Sequence, residues 1–277
     1  MPELPEVEII KKSLEEKTKG KRILSVEVFN ENMIQHPTKE ELERELIGRM
    51  IETIDRRGKY LILNLSEDKC LILHLRMTGQ LVIKSQVKKD KYLRARFKLS
   101  GNVNMDFLDK RKFATMAFLD KKELEHWKSL SELGPEPLSR EFNFNYFKNI
   151  LVNSRRPVKN LLLDQKAIAG LGNIYADEAL FRAKVNPSKS SKELAQEEIT
   201  ALIFSIKMVL NEGIKFSGTS FSDYVDVDGK SGNFQDKLNV YQKVGESCID
   251  CGASIKKIKL AGRSTFFCPN CQPNQKE

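Results

Sequence analysis

Leu133-Gly134-Pro135-Glu136-Pro137 divides this chain, and its fold can be read outward from that point. Two prolines and a glycine in five residues interrupt helix and strand alike, so residues 133–138 are expected to link two domains. On the N-terminal side, short apolar or alternating runs at 23–28, 50–54, 60–65, 70–75, 81–83, 93–99 and 103–108 are punctuated by Arg57-Gly58, Ser66-Glu67-Asp68 and Ser100-Gly101-Asn102. About eight strands at this spacing predict an antiparallel β-sandwich. Before them, Val7, Ile10 and Leu14 recur at helical spacing between Pro5 and Gly20, which predicts a long first helix with Glu6 and Glu8 at its positive end.

On the C-terminal side the periods are helical, at 142–152, 158–167, 174–183 and 193–213. Residues 215–235 then form a long aperiodic stretch with Gly218, Gly229 and Gly232, and loops of that length are commonly functional. The expected class is α+β. It comprises a β-sandwich domain at 1–132, a helical domain at 139–238 carrying the 215–235 loop, and a small C-terminal unit at 239–277.

That last unit holds Cys248-Ile-Asp-Cys251 and Cys268-Pro-Asn-Cys271, two C-x2-C pairs sixteen residues apart. This spacing suits two knuckles of a β-hairpin closing on one structural zinc ion through four thiolates. Two disulfides, or a small redox dithiol, are the alternatives. A Lys-rich chain with no signal-peptide pattern and a fifth cysteine, Cys70, in an apolar strand fits a reducing cytosol instead.

The 277 residues carry 47 Lys and Arg against 38 Asp and Glu, a net charge of +9, which suits a polyanionic partner such as nucleic acid. A ribosome-bound or anionic-membrane protein could share that balance. No apolar run approaches the ~20 residues that cross a bilayer, so the expectation is a cytoplasmic protein without a membrane partner.

The first residues, Met1-Pro2-Glu3-Leu4-Pro5-Glu6, suggest chemistry. A small second residue lets an aminopeptidase remove Met1, leaving Pro2 as a terminal secondary amine. Such an amine titrates near ~8, so a usable fraction is unprotonated at neutral pH and can attack a sugar aldehyde carbon. Glu3 can move the accompanying protons. A purely structural reading, in which Pro5 starts a helix, leaves Pro2 and Glu3 unexplained. In the second domain, Gly170-Leu-Gly-Asn173 between two predicted helices makes a tight corner whose amides can hold a phosphate, with Asn173 able to cap the next helix.

Together these motifs resemble the bacterial formamidopyrimidine-DNA glycosylase family. The matches are PELPEVE at 2–8, RRGKYL at 56–61, HLRMTG at 74–79, DKRKF at 109–113, LGPEPL at 133–138, GLGNIYADEAL at 170–180 and GRSTFFC at 262–268, in the family's order from end to end. The resemblance implies a bifunctional enzyme, acting as a monomer on damaged double-stranded DNA. It would release oxidised purines such as 8-oxoguanine and formamidopyrimidines, then cut the strand by β,δ-elimination through a Schiff base on the N-terminal proline. It also implies a helix-two-turn-helix domain with a zinc-finger hairpin.

Residue by residue, it implies that Pro2 is the nucleophile, Glu3 the acid, Glu6 a second carboxylate near the lesion, and Lys59 a lysine assisting the chemistry. Met77, Arg111 and Phe113 match the wedge that fills the gap left by a flipped nucleotide. His74, Lys159, Asn173 and Arg263 match DNA contacts, and Arg263, on the zinc hairpin where it grips phosphate next to the lesion, counts with Pro2, Glu3 and Lys59 among the catalytic residues. Thr219, Ser220 and Tyr224 fall in the loop that closes over the purine. One stretch departs from the family: Lys91-Tyr92-Leu93-Arg94 stands where many members carry Lys-His-Asp-His, so the local hydrogen bonding there cannot be carried over. Two rivals remain: an endonuclease VIII-like enzyme for oxidised pyrimidines, whose members open with Gly in place of Leu4, and a non-catalytic zinc-dependent nucleic-acid binder.

Overall fold

The computed structural model describes residues 1–86, 90–221 and 224–274. Packing divides the chain into two units, Met1–Glu132 with Ile214–Gln235, and Leu133–Gly213 with the chain from Asp236 onward.

The first unit opens with α1 (Leu4–Thr18), started by a capping box in which Glu3 and Glu6 satisfy each other's backbone N–H and by Pro5 in the first turn. Then follow β1 (Ile23–Val28), β2 (Ile34–His36), α2 (Lys39–Leu46), β3 (Ile51–Arg57), β4 (Tyr60–Leu65), β5 (Lys69–His74), β6 (Gly79–Lys84), β7 (Leu93–Leu99), β8 (Val103–Asp109), β9 (Thr115–Asp120) and the short α3 (Lys128–Ser131). The strands form two sheets, in the orders β1-β7-β8-β6 and β2-β9-β5-β4-β3. Val7, Ile10 and Leu14 of α1 join Leu61, Leu73, Phe97 and Phe107 of both sheets in one core, as a sandwich requires.

Four features differ from the sequence expectation. Helix α2 lies inside the region read as all strands, and β9 was not anticipated. The sandwich is antiparallel except where β2 runs parallel to β9. Segment 214–235, assigned from sequence to the helical domain, packs in the first unit: Tyr224 and Val227 join its core. Ile83 N–H donates to Val227 O at 2.8 Å, and Lys17 pairs with Asp228 at 2.8 Å. Ser222 and Asp223 of that segment, and the terminal residues 275–277, lie outside the described residues.

The second unit contains α4 (Phe144–Val152), α5 (Val158–Leu162), α6 (Asn173–Arg182) and α7 (Gln196–Lys215), then the hairpin β10 (Lys256–Leu260) and β11 (Arg263–Phe267). Helix α5 ends five residues before the expected 167. The corner into α6 is held by the Gln165 amide, which accepts from Gly170 N–H at 2.9 Å and donates to Leu171 O at 2.8 Å. Glu178 of α6, fully buried, accepts the backbone N–H groups of Asn239, Val240 and Tyr241 at 2.9–3.0 Å. That carboxylate fixes the segment leading into the finger, whose small core joins Phe181, Val240, Ile255 and Phe266. Among the described residues, no helix is long and apolar enough to cross a membrane.

Candidate active site and nucleic-acid interface

The start of α1 gathers the groups the sequence singled out. Pro2 is buried, and Met1 before it is exposed. Glu3 and Glu6 are 3% and 1% exposed, which is costly for two carboxyl groups unless each is hydrogen-bonded. Glu6 supplies part of that compensation: Oε2 accepts from Glu3 N–H at 2.7 Å and Oε1 from Thr219 N–H at 2.9 Å. The 214–235 segment is thus fastened to the chain start through one carboxylate. Gly218 permits this approach. Its φ is +78°, and a Cβ there would lie 2.9 Å from Glu6 Cγ and 3.0 Å from Tyr224 Cε1.

The loop residues read as lesion contacts are engaged within the unit in this conformation. Thr219 is buried, while Ser220 N–H donates to Gln235 Oε1 at 3.0 Å and Ser220 Oγ donates to Tyr224 O at 2.8 Å. Tyr224 is a core side chain, and burial, then the charges of Glu6 and Asp226, push its phenol pKa up.

Lys59 sits with Gly58 in the two-residue turn that joins β3 to β4. Gly58 has φ +57°, as the first central position of a primed hairpin turn demands. Arg56 fixes this turn against α1: Nε donates to Glu8 Oε2 at 2.8 Å and Nη1 to Gly58 O at 2.9 Å. Lys59 is therefore held, 7% exposed, rather than solvated.

His74, across from Tyr60 on β5, has its ring edge-on to that tyrosine with centroids 4.4 Å apart. Its Nδ1 accepts from Arg76 N–H at 3.0 Å, which puts the proton on Nε2. Burial, then the positive charges of Arg76 and Lys59, lower its pKa to about 3. His74 is a neutral donor.

Met77 from the β5–β6 loop and Arg111 and Phe113 from the β8–β9 loop come together. The Arg111 guanidinium stacks 4.7 Å above the Phe113 ring and donates to Met77 Sδ at 3.0 Å. Met77 and Phe113 are 43% and 51% exposed, unusual for large apolar side chains that could have been core. Asp109, to which the sequence reading gave no role, organises both loops. Its carboxylate accepts from Thr78 Oγ1, from Arg111 N–H at 3.1 Å and from Ala114 N–H at 2.8 Å. Lys112 between them is held at φ +60°, a left-handed conformation costing roughly 1–2 kcal/mol. In the stretch that departs from the family, Arg94 Nε donates to the backbone carbonyl of Asp109 at 2.8 Å, so this chain ties the end of β8 to that stretch by its own route.

In the second unit, Arg263 is exposed at the start of β11, after a two-residue turn in which Ala261 and Gly262 both have positive φ. It lines a cavity of about 360 Å³ with Arg156, Asn160 and Asp164. Two expectations need correction. Asn173 is the first residue of α6, with Gly172 in the capping position, and its amide donates to Ser264 O at 3.0 Å. Lys159 is fully buried, so it does not present its charge to a phosphate; its ammonium meets Asp177 at 2.6 Å, Thr265 Oγ1 at 2.8 Å and Ser264 O at 3.0 Å.

The Sγ atoms of Cys248, Cys251, Cys268 and Cys271 all lie within 4.8 Å of one another, with 3.8 Å between Cys248 and Cys271 and 3.5 Å between Cys251 and Cys268. A tetrahedron of thiolates about 2.3 Å from zinc has edges of about 3.8 Å, whereas a disulfide needs about 2.05 Å. The donor set fits one structural zinc ion.

Comparison with known proteins agrees with this geometry. Residues 1–116 match the formamidopyrimidine-DNA glycosylase N-terminal domain, 133–225 the formamidopyrimidine-DNA glycosylase H2TH domain, and 245–274 the zinc finger found in FPG and IleRS. Formamidopyrimidine-DNA glycosylases of Desulforamulus reducens and Carboxydothermus hydrogenoformans are 42% and 43% identical, each over 98% of this chain and 99% and 100% of the relative. Lactococcus lactis Fpg bound to abasic-site DNA superposes with a TM-score of 0.93 at 38% identity, over 98% of this chain and all of that one. MutM in complex with carbocyclic 8-oxo-G DNA superposes at 0.92, with 39% identity over 99% of this chain and all of that one.

Proposed function

The chain belongs to the formamidopyrimidine-DNA glycosylase family, and we propose that Pro2, freed of Met1, is its nucleophile and Glu3 its proton donor. The protein is a base-excision-repair DNA glycosylase and abasic-site lyase whose substrate is damaged duplex DNA. The relatives' complexes, with an abasic site, Fapy-dG and carbocyclic 8-oxo-G, support oxidised purines as the bases removed.

A terminal amine cannot reach C1′ of a stacked nucleotide, so the nucleotide turns out first. Met77 and Phe113 occupy the gap, and Arg111 meets the orphan base. The Pro2 nitrogen bonds to C1′ as the C1′–O4′ bond opens and Glu3 protonates the ring oxygen; the base then leaves with the proton that the Pro2 amine gives up, and an iminium joins protein to DNA. Loss of a C2′ proton then expels the 3′ phosphate, and a second elimination expels the 5′ phosphate. Lys59 assists at the reacting sugar, Glu6 and the loop of Thr219, Ser220 and Tyr224 lie on the base side, and His74, Asn173 and Arg263 hold phosphates. Zinc supplies folding to the finger and takes no part in the chemistry.

The working division is a catalytic domain at 1–132 that takes in segment 214–235, a helical domain formed by the rest of 139–238 and a finger at 239–277, in a monomer of the cytoplasm. The observation that carries the chemistry is the Glu3–Glu6 capping box, which keeps two buried carboxyl groups directly after Pro2. Borohydride reduction on an 8-oxoguanine duplex, followed by mass spectrometry of the linked peptide, should find DNA on Pro2. A link at Lys59, or preferential release of thymine glycol, would replace this reading.

A further inference from the structure

The buried ion pair in the second unit has no part in the chemistry above. Lys159 of α5 and Asp177 of α6 are both fully buried at the side chain, 2.6 Å apart. The ammonium has three N–H groups and meets three acceptors: Asp177, Ser264 O and Thr265 Oγ1. Asp177 uses its other oxygen to accept from Phe266 N–H at 3.1 Å. Both charges thus converge on consecutive residues of β11, immediately after Arg263. Ser264 O is shared, since Asn173 Nδ2 also donates to it at 3.0 Å.

Burying two charges costs several kcal/mol per ion, and apolar side chains of similar volume commonly serve stability as well or better. What the pair supplies that apolar packing cannot is direction. Each bond fixes one backbone or hydroxyl atom of β11 relative to α5 and α6. We propose that Lys159 and Asp177 are positioning residues that lock the finger strand to the helix corner, so that Arg263 and Asn173 close on DNA phosphates as a single clamp. The inference rests on the phosphate role of Arg263 proposed above.

The test measures affinity of the zinc-loaded full chain for an undamaged duplex over a range of salt concentrations. Arg263→Ala is expected to lose roughly tenfold in affinity, as a charge-assisted contact should, and to lower the salt slope by about 1. The double variant Lys159→Met with Asp177→Leu, which leaves no orphaned charge, should keep its zinc and show the same loss and the same drop in slope, although neither side chain reaches solvent. Adding Arg263→Ala to it should cost nothing further.

A folded double variant with native affinity and slope, or losses that multiply in the triple variant, would overturn the proposal. Should the double variant lose its zinc, Thr265→Val and Thr265→Ser decide. The first should lower the slope and the second restore it, and a folded Thr265→Val with native slope counts against the clamp. If Arg263→Ala alone changes nothing, the phosphate reading of Arg263 fails, and the clamp fails with it.

Discussion

Glu3 and Glu6 do two things at once, because the bonds that start α1 are the bonds that hold both carboxyl groups beside Pro2. Releasing a base requires a proton for the developing negative charge on the sugar oxygen, whereas an abasic site already presents an aldehyde. Glu3→Gln should therefore nearly abolish 8-oxoguanine release yet keep substantial cleavage at a preformed abasic site, while retention of Met1 should eliminate the trapped adduct on both. Native base release by Glu3→Gln would move the acid role to Glu6. His74 allows a second test. Its folded pKa of about 3 lies below the ordinary ~6.5, so between those values the unfolded chain binds a proton that the folded chain refuses. Stability should fall as pH drops from about 6.5 toward 3, and urea midpoints of His74→Gln at pH 7 and pH 5 should differ less than those of wild type. Equal differences would mean the imidazole is not the acid-sensitive group.

Elements differ in how openly the sequence displays them. Strands β4 and β7 coincide with the runs at 60–65 and 93–99, because glycine or charged turns bound them and their apolar residues face a core. Helix α2 was hidden by its shortness, although Thr38 and Glu41 form a capping box and Leu42 and Leu46 bury one face, signals that were present in the sequence. Motif residues such as Met77 and Phe113 were legible. The burial of Lys159 was not, because its hydroxyl partner lies 106 residues away, beyond any periodicity. The wedge belongs to this scale, since the β8–β9 connection presents Phe113 only while Asp109 braces it. Phe113→Ala should slow excision from an intact duplex far more than cleavage of an already extrahelical abasic site, because unstacking costs a few kcal/mol only in the first case. Equal slowing on both, or loss of folding by circular dichroism, would make Phe113 a packing residue.

At the scale of the whole molecule, Pro2, Glu3, Glu6 and Lys59 fall in the unit of Met1–Glu132 with Ile214–Gln235, and Arg263, Asn173 and the four cysteines in the other. A net charge of +9 lets both contribute to attraction for DNA, but only the second depends on a metal. The finger's core is a handful of side chains, too little apolar surface to fold unaided, so zinc binding supplies its folding free energy. Purified protein should carry about one zinc per chain. Removing it with a chelator should raise the KM for an abasic-site duplex severalfold and lower the salt slope of binding, since phosphate contacts of the finger are lost. At saturating DNA, the borohydride-trapped adduct on Pro2 should persist, because no group of the iminium chemistry touches the cysteines. A chelated protein that binds DNA with native KM but cannot form the adduct would reverse the assignment and place the metal in the chemistry.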